Sequence, residues 1–230
     1  MSKLICFALK EEAASFRKIA AGGLRGCQLV SILLTGIGRQ NAEKSVRDFL
    51  AASSPELVLT CGFAGGLDPD LKLGDVAYEL ADRRGELYET PSKSEVRDSQ
   101  SSSLREKLIA AGAKPAKFFC ADRIATTVAE KKKLRDETGA DAVEMESAAI
   151  HAVCAKRGIP CATVRVISDS ANEDLPLDFN LLAKPDQSLD YRKLFLAIAK
   201  SPGKIGALMK LQKQTRFAAE RLAAVLAKLL

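Results

Sequence analysis

Residues 161–169 read Cys161-Ala-Thr-Val-Arg-Val-Ile-Ser-Asp169, an apolar run that ends on a carboxylate. A nearly continuous apolar run of this length is typical of a strand that is buried on both faces of a sheet. A charge at the end of such a strand is costly unless a partner or a ligand accompanies it. Asp169 is therefore a candidate functional residue. The same holds for Glu146, and for both residues the structural alternatives are a helix N-cap and a buried ion pair with Arg165.

Three earlier stretches repeat this arrangement, in which a short apolar strand runs into a polar or glycine-rich turn. They are residues 3–9 before Glu11-Glu12, residues 27–34 before Thr35-Gly36, and residues 57–61 before Gly62–Gly66. A helix is predicted between the second and the third, over Arg39–Ala52. The alternation predicts an α/β fold, a three-layer sandwich with a central mixed, largely parallel sheet flanked by helices. Ligands of such sheets bind at the carboxyl ends of the strands.

Charge is distributed unevenly along the 230 residues, whose net charge is +6. We expect a single domain over residues 1–230. From Lys184 onward ten Lys/Arg stand against three Asp/Glu, while the remaining 25 Lys/Arg and 26 Asp/Glu nearly balance. This basic helical C-terminal segment is either the solvated face of terminal helices or a peripheral contact with an anionic membrane. It contains no recognised nucleic-acid motif, so we expect no nucleic-acid partner.

Composition also bears on the compartment. No apolar run approaches the ~20 residues that a membrane span needs, and the first residues lack the long apolar region of a cleavable signal. The six cysteines are scattered and form no C-x-x-C pair. We therefore expect a cytoplasmic protein without disulfides. Residues 90–103 contain almost no apolar side chains, which predicts a surface connection.

The single histidine, His151, limits the available chemistry. Ser-His-Asp and Cys-His arrangements would depend on it alone, and a multi-histidine zinc site cannot be built. We therefore expect catalysis by carboxylates, or by lysine or arginine, and no metal. The glycine turns let a ligand approach backbone amides, although each also fits a tight strand-to-helix connection. Gly36-x-Gly38 lacks the third glycine of a dinucleotide fingerprint, because Asn41 holds that position.

Two motifs carry a resemblance to a known family. They are Val143-Glu-Met-Glu-Ser-Ala-Ala149 and Val164-Arg-Val-Ile-Ser-Asp-Ser-Ala171. Together they resemble the paired signature of the nucleoside phosphorylase superfamily, which includes purine nucleoside phosphorylases and 5'-methylthioadenosine/S-adenosylhomocysteine nucleosidases. Further matches follow in family order at residues 8–12, 35–38, 62–67 and 73–76. The resemblance implies a phosphorylase-like fold, a homo-oligomer, and cleavage of the N-glycosidic bond of a purine nucleoside without a cofactor.

The resemblance also implies roles for the matching residues. Asp169 would be the general acid that protonates the departing base, and Glu12 would position and deprotonate the attacking water. Glu146 would accept hydrogen bonds from the ribose hydroxyls and stabilise the positive sugar of the transition state. Met145 would pack beneath the sugar. The other candidate substrate-binding residues are Glu144, Ile124, Gly36, Gly62, Phe63, Ala64 and Ser168.

The nucleophile is left open at this stage. In a phosphorylase, phosphate would be the co-substrate, and Arg39 and Thr35 would contribute to its site together with the turn amides. Glu12 would repel phosphate and favour water. Phe63 stands where the nucleosidases carry a small hydroxyl residue, so the nucleophile site departs from their pattern.

A narrower similarity concerns the hopanoid-biosynthesis-associated branch of the family. It is carried by Asp122-Arg-Ile124, by Asp178-Phe-Asn180 and by Ser201-Pro202 before a basic helical end. Members of that branch are implicated in removing adenine from an adenosyl-hopane lipid. A lipid substrate would give the basic segment a role at a membrane surface. A catalytically silent nucleoside-binding protein is the alternative from another class.

Overall fold

The structure is a computed structural model that describes residues 2–22, 29–81, 99–182 and 202–229, together with residues 184, 192, 193 and 196. Within these residues no helix is long and apolar enough to cross a bilayer. Five cysteines lie in the described residues, and all five are buried free thiols; Cys27 falls outside them.

Eight strands of the described residues form one mixed sheet. They are β1 (Ser2–Phe7), β2 (Leu29–Leu34), β3 (Leu57–Gly66), β4 (Val76–Ala81), β5 (Lys114–Pro115), β6 (Phe118–Cys120), β7 (Ala142–Glu144) and β8 (Cys161–Asp169). The main path runs β2-β1-β3-β8-β4-β5. Pairing is parallel from β2 through β8, whereas β4 is antiparallel to β8. β7 pairs antiparallel with the end of β3, and β6 adds to β7 in parallel.

Helices cover both faces of the sheet. They are α1 (Lys10–Ala21), α2 (Arg39–Ala52), α3 (Ser99–Ala111), α4 (Val128–Thr138), α5 (Ser147–Ala155) and α6 (Ile205–Leu229). α1, α3 and α6 share one apolar cluster with the sheet, and α2 and α5 share another on the opposite face. Alternate residues of β1 divide between the two clusters, Ile5 facing one and Leu4 the other. This confirms the predicted three-layer α/β sandwich.

β8 is the central element, as its sequence predicts. All nine of its residues are buried, and it lies between β3 and β4. The register with β3 shifts between Ala64 and Gly65, so that Gly65 lies opposite Asp169. This irregularity sets the end of β8 against the glycine-rich end of β3, at the edge where the carboxyl ends of β1, β3 and β8 meet.

Two predicted connections differ in the structure. The expected surface connection over residues 90–103 overlaps α3, which begins at Ser99, while residues 82–98 lie outside the described residues. The first turn of α3 is polar and therefore resembles a loop in the sequence. The apolar residues Leu104 and Leu108 come later in the helix and face the core. The predicted glycine turn after residue 61 is also wrong, because β3 continues as a strand through Gly66.

The last helix divides into two halves. Its C-terminal half contributes buried residues from Ala218 to Leu229, which cover one face of the sheet. In its N-terminal half the apolar residues Ile205 and Met209 are exposed. The predicted basic segment from about residue 184 lies mostly outside the described residues up to 201, so its contact with a membrane stays a prediction.

We expect Leu226→Ala in α6 to lower the free energy of unfolding by about 2–5 kcal/mol, because Leu226 is fully buried and truncation leaves a cavity. Met209→Ala in the exposed half of the same helix is the matched control and should change stability by less than about 0.5 kcal/mol. Urea unfolding followed by circular dichroism measures both. Equal losses would contradict the division of α6 into a core half and an exposed half.

Candidate active site

Three strands deliver four acidic side chains to one edge of the sheet. Glu12 lies in the first turn of α1, directly after β1, and Asp169 ends β8. Glu144 ends β7, and Glu146 precedes α5. All four carboxylates belong to buried residues. The fold therefore concentrates negative charge where the sequence places its candidate catalytic residues.

Arg165 holds three of these carboxylates together. Its side chain is 1% exposed, and its Nη2 atom lies 2.5 Å from Glu144 Oε2 and 3.1 Å from Glu146 Oε2. The same nitrogen lies 3.2 Å from the hydroxyl of Thr60. Burial raises the pKa of the nearby Glu12, and the Arg165 guanidinium opposes this rise. The sequence suggests Arg165 only as a potential ion-pair partner. Its position inside an apolar strand is the feature that indicates pairing with several buried carboxylates.

Gly62 makes this cluster possible. A Cβ atom at residue 62 would lie 2.6 Å from Glu12 Oε1 and 2.7 Å from Arg165 Nη1, and its φ of +150° is one that L side chains rarely adopt. Glycine is therefore required where β3 passes beneath Glu12 and Arg165. The glycines after residue 61 serve close approach rather than a turn.

Glu12 is held by two backbone amides. Leu9 N donates to Glu12 Oε2 over 2.9 Å, and Phe63 N donates to Glu12 Oε1 over 2.8 Å. Burial raises the pKa of Glu12 to about 7, although Arg165 opposes this rise; Glu146 adds to it. A carboxylate with a pKa near neutrality is well matched to accepting a proton at physiological pH.

Glu146 and Glu144 differ in their surroundings. Glu146 Oε1 accepts a hydrogen bond from Gly38 N over 2.9 Å, and burial raises the pKa of Glu146. Glu144 accepts from the backbone amides of Glu146 and Ser147 and from the Ser147 hydroxyl. Burial opposes ionisation of Glu144, but Arg165 and these donors hold its pKa below the usual range. Glu144 thus uses its carboxylate to fix the start of α5 and to pair with Arg165.

Asp169 lies apart from the Arg165 cluster, against a different cation. Its Oδ2 atom is 2.5 Å from Lys131 Nζ, and Ser168 Oγ donates to its Oδ1 over 2.8 Å. The Lys131 side chain is 0% exposed. Lys131 is not among the residues predicted from the sequence, where it is the first of three consecutive lysines. The available signal was helical spacing, because Lys131 lies three residues from both Val128 and Leu134 on one face of α4.

The remaining predicted residues fall into two groups. Met145, Ile124 and Phe63 are half-buried, and Ala64 and Ser168 are buried. The backbone of Ile124 is fixed in both directions by Asn180, which accepts from its amide and donates to its carbonyl at 2.9 Å each. Phe63 binds Glu12 through its amide, Met145 precedes Glu146, and Ser168 precedes Asp169.

The predicted anion-binding residues are occupied by contacts within the protein. Arg39 donates to the carbonyl of Cys120, and its Nε atom pairs with Asp122 over 3.1 Å. The hydroxyl of Thr35 donates to the carbonyls of Phe7 and Gly36. Gly36 has a φ of +81°, a left-handed conformation that favours glycine in the turn after β2.

The single histidine is a core residue. His151 is 6% exposed, and its Nε2 atom lies 3.0 Å from the hydroxyl of Thr163. Burial lowers the pKa of His151 to about 4, so the ring is neutral at physiological pH. The charged groups gathered at the candidate site are carboxylates, Arg165 and Lys131.

Comparison with known proteins places the chain among enzymes of nucleosides. Residues 7–198 match the Phosphorylase superfamily. A 5'-methylthioadenosine/S-adenosylhomocysteine nucleosidase of Staphylococcus aureus is 30% identical over 186 residues, which are 74% of this chain and 81% of the relative. An aminodeoxyfutalosine nucleosidase of Helicobacter pylori is 30% identical over 174 residues, 66% of this chain and 71% of the relative.

Solved structures share the fold. The native structure of futalosine hydrolase of Helicobacter pylori superposes with a TM-score of 0.69 at 21% identity, covering 100% of this chain and 97% of that chain. A Helicobacter pylori 5'-methylthioadenosine/S-adenosylhomocysteine nucleosidase with butyl-thio-DADMe-Immucillin-A gives the same score, identity and coverage. Fold, sequence and site together define an enzyme of the nucleosidase or nucleoside phosphorylase class. The chain belongs to the Phosphorylase superfamily.

We expect Gly62→Ala to reduce the rate of base release by about 10²-fold, because the added methyl group displaces Glu12 and Arg165 from their positions. The rate is measured by separating free base from nucleoside. Gly206→Ala, in α6 with no atom within 4 Å of the new methyl group, is the matched control and should keep wild-type activity. A wild-type rate in Gly62→Ala would show that the close packing at Gly62 is not needed for activity.

Proposed function

We propose that the protein hydrolyses the N-glycosidic bond of a purine nucleoside and releases the free base, with water as the nucleophile. The nucleosidase names of its relatives support cleavage of a nucleoside. The choice of water over phosphate rests on one observation, the position of the Glu12 carboxylate against Phe63 N. The choice of a purine rests on the family motif around Asp169.

Glu12 takes up the donors that a phosphate ion would need. Its two oxygens accept from Leu9 N, between β1 and α1, and from Phe63 N, within β3. Arg165 is committed to glutamates, and Arg39 to Asp122 and a carbonyl. A phosphate dianion placed here would face buried carboxylates without a free cation from these residues, which is unfavourable. Neutral water carries no such penalty.

The three acidic residues then divide the reaction between them. Cleavage of an N-ribosidic bond develops positive charge on the sugar, and the base departs more easily when it is protonated. Glu12 takes the proton of the attacking water, for which its pKa of about 7 is suited. Glu146 accepts hydrogen bonds from the ribose hydroxyls and stabilises the sugar cation. Asp169 gives a proton to the base as the bond breaks.

Protein groups supply every step of this mechanism, so we propose that it uses neither a metal nor an organic cofactor. Met145, Ile124, Phe63 and Ala64 would line the sugar and base. Glu144 is assigned to holding Arg165 and the start of α5, since protein donors engage both of its oxygens. Assembly into a homo-oligomer, the adenosyl-hopane-type substrate and the membrane contact of the basic segment stay predictions.

We expect Glu12→Gln to lower kcat for base release by about 10²-fold or more, because an amide cannot accept the proton of water. In the wild type, kcat/KM should fall as the pH decreases below about 7, since protonation of Glu12 removes the base. Release of free base and ribose is measured with and without phosphate. The matched control is Glu11→Gln, on the exposed side of the same helical turn, which should behave as wild type.

Two outcomes would contradict this assignment. Strict dependence on phosphate with ribose 1-phosphate as product would make the enzyme a phosphorylase. Binding of adenine without turnover of any nucleoside in a panel would make it a binding protein.

We expect Asp169→Asn to abolish turnover, with a loss of about 10²–10⁴-fold in kcat, because the amide cannot protonate the departing base. Circular dichroism should show an intact fold. The variant should keep its affinity for a nucleoside analogue, measured by calorimetry. A variant with most of its kcat retained would remove Asp169 from the role of general acid.

A further inference from the structure

Lys131 is an unusual lysine for its position. α4 carries three consecutive lysines, of which Lys132 and Lys133 have side chains 74% exposed, whereas the Lys131 side chain is 0% exposed. Removing an ammonium group from water costs several kcal/mol unless partners compensate. Lys131 is buried next to Asp169, the residue to which we assign proton donation.

Three acceptors satisfy the ammonium group of Lys131. Its Nζ atom lies 2.5 Å from Asp169 Oδ2 and donates to the carbonyls of Ser170 and Glu173, each at 2.8 Å. A lysine ammonium has three N–H donors, so these contacts use all of them. Lys131 therefore ties the carboxylate of Asp169 to the backbone that follows it.

The contacts distinguish the two oxygens of Asp169. Oδ2 is held by a full positive charge, whereas Oδ1 accepts only from the neutral hydroxyl of Ser168. A proton resides less favourably on an oxygen that faces an ammonium group. Oδ2 is thus taken up by Lys131, and Oδ1 is the oxygen that stays available to the base.

We propose that Lys131 is a positioning residue for catalysis, which holds Asp169 by Oδ2 so that Oδ1 faces the base. This inference rests on the proposed function. In the reaction the O–H bond at Oδ1 breaks and an N–H bond forms on the base, leaving Asp169 as a carboxylate. Lys131 remains an ammonium ion and balances the new negative charge. Asp169 is reprotonated from solvent before the next turnover.

The test compares Lys131→Met with Lys132→Met, its exposed neighbour on the same helix. We expect Lys131→Met to lower kcat by about 10²-fold while KM changes less than about twofold, because Lys131 does not reach the substrate. Lys132→Met should keep both constants. Lys131→Gln is measured as well, because its amide retains a donor for the carbonyls of Ser170 and Glu173 and preserves the fold if the methionine variant does not. Its kcat should fall equally.

The decisive measurement repeats the substitutions in an Asp169→Asn background, using single turnovers with enzyme in excess. A residue that acts through Asp169 has nothing left to position there, so adding Lys131→Gln should reduce the rate less than about twofold further. If Lys131→Gln lowers the rate by the same factor in the wild type and in Asp169→Asn, Lys131 has only a structural role and the inference is overturned. A rise in KM without a fall in kcat, or wild-type constants, would also overturn it.

The proposed function fails by a different result. If Asp169→Asn alone retains wild-type kcat, then Asp169 is not the general acid, and both proposals fall. If Asp169→Asn is inactive while Lys131→Gln is fully active, only the role of Lys131 is lost.

Discussion

The buried guanidinium of Arg165 is the interaction on which the site depends. Glu12 approaches Glu144 and Glu146, which lie together at the end of β7 and far from Glu12 in sequence, and without a cation between them the three could not all be ionised at this burial. Arg165 reaches two of them directly and lies beside the third. Because it is part of β8, the central strand, the charge cluster is attached to the most buried element of the molecule. The central strand of the sheet therefore also positions the charged residues of the candidate site.

Charge balance in this cluster bears directly on the choice of nucleophile. The glutamates outnumber the single arginine, and Glu12 already binds the backbone amides beside Gly62. Such a surrounding disfavours an added anion and suits a water molecule whose proton must be removed. It also accounts for the raised pKa of Glu12, since burial and the neighbouring Glu146 both oppose its ionisation.

A second cation, Lys131, serves the other side of the site. The segment after β8 is fixed between two elements, because Lys131 of α4 holds its carbonyls while Lys210 and Gln214 of α6 bind the side chain of Glu173. α6 thus contributes to the site as well as to the core. Its C-terminal half closes one face of the sheet, and its N-terminal half steadies the segment that follows Asp169.

The sequence alone determined the α/β class and the buried central strand, because apolar periodicity is a local property of the chain. Its short motifs, which are also local, predict Glu12, Glu146 and Asp169 as site residues. The extension of β3 through Gly66, the start of α3 at Ser99 and the partners of Arg39 were decided only by tertiary structure. The contrast between Lys131 and its neighbours has the same origin. Helical spacing places Lys131 on the face of α4 that carries Val128 and Leu134, but only the packing of the folded chain buries its side chain beside a carboxylate distant in sequence. Burial and charge pairing depend on contacts between remote segments, and for that reason the functions of Arg165 and Lys131 emerge from the folded chain.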